Sequence, residues 1–328
     1  MVVNRLLALM EMSGNGSGTP PEFHEPVMLS EVLDALKVIP GGRYIDATLG
    51  EGGHARAILR NASPGGQLIG IDADPEAVAS ARKRLVEFGS SVRIVNENFT
   101  EMQAIVARYD FAPIHGVLMD LGVSSLQLDR ESRGFSFRRC DPLDMRFAND
   151  GGLDANKIVN QYSERELGDI IFRYGDERAS RRIASAIVKN RPVKNALELA
   201  DIVSSVKRRG RRGIHSATQT FQALRIAVNN EMVALKAGLE QAVNVTGTGG
   251  RIVVISYHSI EDRIVKNFFR TAASDCVCDS EGQQSPFCTC NHTPTLKLVI
   301  RGALTPTASE INTNPRSRSA KLRVASRV

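Results

Sequence analysis

The feature that most restricts how this chain can fold is a regular rhythm broken once. Short apolar runs at Tyr44 to Ala47, Gln67 to Asp72, Val92 to Val95 and Val117 to Asp120 alternate with helical spacing at Ala55 to Arg60 and Glu76 to Phe88. Short strands separated by helices predict a parallel sheet with crossover helices, an α/β domain of Rossmann-like type. A fifth run, Arg251 to Tyr257, comes only about 130 residues after the fourth. That is far longer than the connections such a sheet uses, so an insertion is expected. We place it at residues 128–216, where Glu164 to Tyr174, Glu177 to Lys189 and Ala196 to Val206 have helical spacing, with Ser163 as N-cap and Gly175 as stop. It reads as a small helical domain. Residues 23–127 and 217–328 then form the sheet domain, rejoined by one long helix from Thr218 to Val243 and a turn at Gly247 to Gly250. A helix from Ile260 to Thr271 follows. Two late runs, Leu296 to Ile300 and Lys321 to Ala325, are expected to pair antiparallel at the sheet edge. Residues 1–22, with Ser, Gly and Asn throughout Ser13 to Gly18, read as a flexible tail.

Hydrophobic residues at 42% and charged residues at 24% are the balance of a soluble globular protein, and no run approaches the roughly 18 apolar residues of a membrane span. The apolar stretch Leu6 to Met10 is too short for a signal-peptide core, which points to the cytoplasm. An excess of 42 Lys and Arg over 36 Asp and Glu suits an anionic partner. The densest basic run is Lys207-Arg208-Arg209-Gly210-Arg211-Arg212, with smaller clusters at Arg138-Arg139, Arg181-Arg182 and Arg316 to Arg318. Such a run is either a nucleic-acid contact or a solvated loop.

The first strand runs into Asp46-Ala47-Thr48-Leu49-Gly50-Glu51-Gly52-Gly53-His54 before a helix begins. Glycines at that turn let the backbone approach a ligand, and the first helical turn offers free N–H groups. The spacing is not the G-x-G-x-x-G of dinucleotide binders, and an acidic residue closes the strand. Both facts favour S-adenosylmethionine, which has no pyrophosphate to cradle. Asp72 closes the second strand, where a carboxylate accepts hydrogen bonds from both ribose hydroxyls. Asp74 either shares that role or, as its place before Pro75 favours, is the N-cap of the next helix. Asp46 either serves the cofactor or braces the glycine loop, and Phe99 either packs on an adenine ring or fills the core. Asp120 closes the fourth strand, where doubly wound sheets put their reactive centre.

Several short blocks stand in a telling order: His24-Glu25-Pro26-Val27-Met28, the glycine loop, Asp120-Leu121-Gly122-Val123-Ser124-Ser125, Arg133-Gly134-Phe135-Ser136-Phe137, Pro142-Leu143-Asp144-Met145-Arg146, Thr220 to Ile226 and Ser256 to Arg263. Together, from about residue 23 to the C-terminus, they resemble the bacterial 16S ribosomal RNA cytosine-N4 methyltransferase family. The resemblance implies a Rossmann-like S-adenosylmethionine-dependent methyltransferase domain interrupted by a helical substrate-recognition domain. It also implies methylation of a cytidine in the decoding region of 16S rRNA, in the small ribosomal subunit. By position, it implies cofactor contacts at Gly52, Gly53, His54, Asp72, Phe99, Asp120 and Gln127.

For that reaction the exocyclic amine is a poor nucleophile, because its lone pair is delocalised into the ring, so acceptors must hold and aim it. The ends of the fourth and fifth strands offer Asp120 and the loop Ser256-Tyr257-His258-Ser259 as catalytic candidates. His258 either orients the base or receives its proton, or else it only fixes the turn, where Ser259 with Asp262 reads as a capping box. Tyr257 either stacks on a base swung out of its strand or is buried by strand alternation.

An oxidoreductase using a nicotinamide cofactor would share the sheet and the ribose carboxylate, but the missing G-x-G-x-x-G opposes it. A DNA amino-methyltransferase would carry Asp/Asn-Pro-Pro-aromatic after the fourth strand, where Asp120 is instead followed by Leu121-Gly122. A methyltransferase acting on another RNA nucleoside, or a non-catalytic ribosome-binding module, stays open at this level. One segment stands outside the family pattern: Cys276-Val277-Cys278 and Cys288-Thr289-Cys290, with His292 nearby. Four thiolates in a reducing compartment suit a tetrahedral structural Zn²⁺, against the alternative of reduced, unliganded thiols. Cys140 stands alone and reads as incidental.

Overall fold

The computed structural model describes residues 25–123, 133–148, 151–207, 215–278 and 290–328. Gln127, Cys288 and the basic residues Arg208 to Arg212 lie outside the described residues. Five parallel strands, β1 (Arg43–Asp46), β2 (Gln67–Ile71), β3 (Val92–Val95), β4 (Ile114–Asp120) and β5 (Thr246–Ser256), stand in the order β3-β2-β1-β4-β5. The late pair, β6 (Leu296–Leu298) and β7 (Lys321–Arg327), extends this sheet antiparallel, with β7 against β5. Gly247 to Gly250 lie within β5, where its register slips against β4. The strand order reverses between β1 and β4, and the crevice outside their carboxyl ends is where an open α/β sheet binds its ligand.

Alternation along the strands sorts the core into two layers. Ile45, Ile69, Ile71, Val117, Met119, Ile252 and Val254 face one side with Met102, Ile105, Leu235, Leu239 and Phe269. Tyr44, Leu68, Leu118, Val253 and Ile255 face the other with Val32, Leu36, Ile58 and Ala81. The first set of partners comes from α4 (Met102–Arg108), α10 (Glu231–Val245) and α11 (Ser259–Ala272), and the second from α1 (Leu29–Leu36), α2 (Gly53–Asn61) and α3 (Pro75–Arg84). Each fully buried aliphatic side chain contributes roughly 1.5–3 kcal/mol relative to exposure. The strand ends are thereby fixed in place.

Between β4 and β5, α5 (Ala155–Gln161), α6 (Glu164–Gly175), α7 (Ser180–Lys189) and α8 (Ala196–Val206) bury Ile158, Leu167, Ile171, Ile183, Ile187, Leu199 and Val203 in a core of their own. Ser163 and Glu166 form a capping box at the start of α6, which ends at Gly175 before Asp176 turns left-handed at φ 49°. Phe135, Leu143 and Met145 join this core, as do Phe221, Leu224 and Val228 of α9 (Thr218–Asn229). The single helix expected from Thr218 to Val243 is broken at Asn230, whose φ of 50° separates α9 from α10. The two halves answer to different cores: α9 packs into the helical one, and α10 packs its Leu235 and Leu239 on the sheet. Asparagine tolerates the left-handed turn at small cost.

Candidate active site

A cavity of about 800 Å³ opens at the carboxyl ends of the strands, lined on one side by sheet loops and on the other by α9 and the segment around residues 135–147. On the sheet side, Asp72 Oδ2 accepts from the Gly50 N–H (2.7 Å) and Oδ1 from the Asp74 N–H (2.9 Å). Burial pushes its carboxyl up to about 6. Asp46 is buried behind the loop and accepts from the Thr48 N–H at 3.3 Å, and burial pushes it up to about 7. It braces the loop from beneath, while Thr48 and Asp72 face the cavity. Asp74 caps α3 through the Glu76 N–H and pairs with Arg133 at 2.6 Å, as its place before Pro75 suggests. Gly52 sits at φ 77°, and a Cβ there would lie 3.0 Å from Leu85. The loop needs glycine on both grounds. Phe99 packs against the sheet core and also lines the cavity. Room for its ring comes from Gly238, where a Cβ would approach Phe99 to 2.5 Å.

Asp120 is the meeting point of three elements. Its N–H donates to Thr48 Oγ1 (2.6 Å), and its Oδ1 accepts from the Tyr257 hydroxyl (2.8 Å). Its Oδ2 lies 3.5 Å from His54 Nε2. Burial, with the Asp120 charge beside it, holds the Tyr257 phenol well above its ordinary value, so it stays a donor. The loop that carries Tyr257 is capped differently from the sequence expectation. His258, not Ser259, is the N-cap of α11: its Nδ1 accepts from the Glu261 N–H (3.3 Å), and Glu261 Oε2 accepts from the Tyr257 (2.8 Å) and His258 (3.3 Å) N–H groups. The expected box fails because its members are drawn elsewhere, Asp262 to Lys321 (3.0 Å) and Arg323 (2.7 Å) on β7, and Ser259 to Asp176 (2.7 Å).

The facing wall was not singled out as a site from the sequence. Phe135, Phe137, Phe147 and Phe221 line it. Phe135 and Phe147 stack at 5.8 Å, while Phe137 stacks on His215 at 4.5 Å and meets Phe221 edge-on at 5.6 Å. Arg133 anchors this wall to the sheet, binding Asp74 with one guanidinium nitrogen and the Arg146 and Phe147 carbonyls with another. Asn229 holds it from α9, donating to Met145 O (2.7 Å) and accepting from Phe147 N–H (2.8 Å). Phe221, Arg225 and Asn229 all line the cavity at a spacing of four, a one-faced helical stripe that was legible in principle.

Two further expectations meet the structure differently. Lys207, which opens the basic run, is turned inward: its ammonium pairs with the buried Glu177 and donates to Gln219 Oε1 at 2.7 Å, so it braces the end of α8. Cys276, Cys278 and Cys290 do come together, with their sulfurs all within 4.8 Å of one another. The Val277, Cys278 and Cys290 N–H groups donate to these sulfurs at 3.2–3.3 Å. His292 is turned to the Thr271 carbonyl (3.1 Å). Among the described residues, no helix is long and apolar enough to cross a membrane.

The residues present fit S-adenosylmethionine. Carboxylates made costly by burial invite a cation and hydroxyl donors, the glycine loop admits close approach, and His54, 6% exposed, has neither ring nitrogen hydrogen-bonded. Sheet and site together define an S-adenosylmethionine-dependent methyltransferase. The chain belongs to the MraW methylase family, which it matches over residues 22–328. It is 55% identical over 306 residues to the ribosomal RNA small subunit methyltransferase H of Dehalococcoides mccartyi, covering 93% of this chain and 86% of that protein. It is 48% identical to the proteins of that name from Thermomicrobium roseum (93% and 94% covered) and Citrifermentans bemidjiense (94% and 99%).

Proposed function

We propose that this enzyme transfers a methyl group from S-adenosylmethionine to N4 of a cytidine in the decoding region of 16S rRNA, within the small ribosomal subunit in the cytoplasm. The observation that carries this reading is the pairing of two unlike walls on one cavity, buried carboxylates and a glycine loop facing four phenylalanines, with Asp120 clamped by Tyr257. The names of the relatives support the RNA substrate.

Bound here, S-adenosylmethionine would supply an electrophilic methyl group on a sulfonium, whose S–CH3 bond breaks to leave a neutral thioether. Asp72 keeps a lone pair on each oxygen beyond its two backbone bonds and offers them to the ribose hydroxyls. Gly52, Gly53, His54 and Phe99 complete that half of the site, and the family resemblance adds Gln127. The phenylalanine wall takes the cytosine, replacing the stacking lost when a base leaves its strand. Asp120 accepts a hydrogen bond from the N4 amine, aims its lone pair and receives the proton it sheds. Tyr257, retaining its own proton, steadies Asp120. His258, its Nδ1 engaged with α11, serves the loop that carries Tyr257. Residues 128–216, together with α9, grip the RNA, while the sheet domain does the chemistry. Cys276, Cys278 and Cys290, with Cys288, hold a structural Zn²⁺, the three described sulfurs already lying within 4.8 Å of one another. Metal analysis of protein purified without chelator should find about one zinc per chain, and a value near zero removes the metal.

The function is tested by incubating the protein with labelled S-adenosylmethionine and unmodified small subunits, or with free 16S rRNA. Label is expected in the 16S rRNA. Cofactor binding without transfer to either RNA contradicts the substrate, and absence of cofactor binding contradicts the whole reading.

A further inference from the structure

Arg225, Glu231 and Glu261 line the cavity with little exposure and touch neither substrate in the scheme above. Burying charge is costly unless partners compensate, so what these side chains hold is informative. In one respect Glu261 is an ordinary capping-box glutamate, accepting from the Tyr257 and His258 N–H groups through Oε2. In two others it is not. It is only 2% exposed, and its Oε1 faces His258 Nε2 at 3.1 Å and Arg225 Nη2 at 4.0 Å. Burial works against its charge, but His258 and Arg225 outweigh that and hold its carboxyl below the ordinary value. Arg225 in turn is gripped by Glu231 in a two-point fork at 2.7 and 2.8 Å, across the Asn230 turn between α9 and α10. A chain of contacts therefore runs from α9, whose Phe221 and Leu224 sit in the helical core, through Arg225 and Glu261 to the main chain of Tyr257. The Tyr257 hydroxyl completes it at Asp120, 2.8 Å away.

We infer that Arg225 and Glu261 are positioning residues for methyl transfer: they hold Tyr257, and through it the Asp120 carboxylate, in the register set by α9. The inference rests on the methyl-transfer reading. Because α9 also presents Phe221 and Gln222 to the cavity, the relay ties the acceptor of the amine proton to the wall that receives the base. A base seated against α9 and a carboxylate aimed through α9 share one frame, which is what in-line transfer to a weak nucleophile demands.

Single-turnover transfer to small subunits at saturating cofactor tests this with Arg225→Met, Glu261→Gln, Tyr257→Phe and the double variant Arg225→Met/Tyr257→Phe. Gln keeps an acceptor for the two loop N–H groups and Met keeps the Arg stem packing, so the helix cap and local packing are retained. Each single variant should be roughly tenfold to a hundredfold slower than wild type. Affinities for S-adenosylmethionine and for subunits should stay within about twofold, and the double variant should be no slower than the slower single one, because both changes act on the same hydrogen bond. Rate losses that multiply, or lost affinity at an unchanged rate, overturn the relay. If Arg225→Met does not fold, the same rate and affinity criteria applied to Glu261→Gln decide. Wild-type protein that leaves cytidine N4 unmethylated contradicts the function itself; wild-type transfer with multiplicative losses contradicts only the relay.

Discussion

The glycine loop and the Asp72 strand end on the sheet side of the cavity are near one another in the chain and held by main-chain groups, whereas the helical wall joins distant segments through side chains. Asp72 grips the Gly50 N–H, 22 positions away, while Phe147 is held by Asn229, 82 positions away. The first arrangement is rigid and carries buried charge at the strand ends. The second is aromatic and hangs on a few hydrogen bonds from Arg133 and Asn229. On the proposed reading, the first side takes the small charged nucleoside and the other the flat base.

The comparison predicts separable losses. Asp72→Ala should cost the most in cofactor affinity, since charge-assisted hydrogen bonds contribute roughly 1.5–3 kcal/mol each. Calorimetry should leave subunit binding unchanged, and cofactor affinity within about twofold of wild type would remove Asp72 as the ribose ligand. Phe147→Ala should do the reverse, weakening RNA binding by roughly 1–3 kcal/mol of lost stacking with cofactor affinity intact. Equal weakening of both ligands would merge the two walls into one.

The pH dependence of cofactor binding is expected from the sheet side, where Asp46 and Asp72 sit. Asp46 and Asp72, pushed up to about 7 and about 6 from 3.8, bind protons in the folded cofactor-free protein that the unfolded chain releases. Their contribution to stability is fully present below about pH 4 and is lost as pH rises through about 6 and 7. A cationic nucleoside prefers these carboxylates ionised, so S-adenosylmethionine affinity should fall about tenfold from pH 8 to pH 6. The carboxyls' contribution to cofactor-free stability grows over the same range. Titration calorimetry at both pH values checks this, and a flat affinity detaches the carboxylates from the cofactor. The smallest effect is expected of Gly238→Ala, whose Cβ would crowd Phe99 at 2.5 Å. Cofactor affinity should drop by about 1 kcal/mol, the cost of pushing a packed ring off its rotamer, with RNA binding unmoved.

The same division explains what was legible in the sequence. Strand ends, the glycine loop, the Asp74 cap and the Ser163 box are local, and pattern reaches them. Asn230 is local too, yet the break it makes is set by two cores that the sequence does not separate, so α9 and α10 read as one helix. The capping box moved by one residue because Asp262 is claimed by Lys321 and Arg323, about 60 positions on, and no local pattern contains that competition. Of the phenylalanine wall, Phe135, Phe137 and Phe221 stand in blocks of resemblance and Phe147 in none. Its chemistry emerges when Arg133 and Asn229 fold those blocks over the strand ends.

The most direct measurement hydrolyses small-subunit RNA methylated by the wild-type protein to nucleosides and locates the new methyl group by mass spectrometry. The account predicts N4-methylcytidine as the product, dependent on S-adenosylmethionine. A methyl group on ring carbon 5 or on the ribose 2′ oxygen would contradict it, because neither atom is an amine that Asp120 could hold and deprotonate.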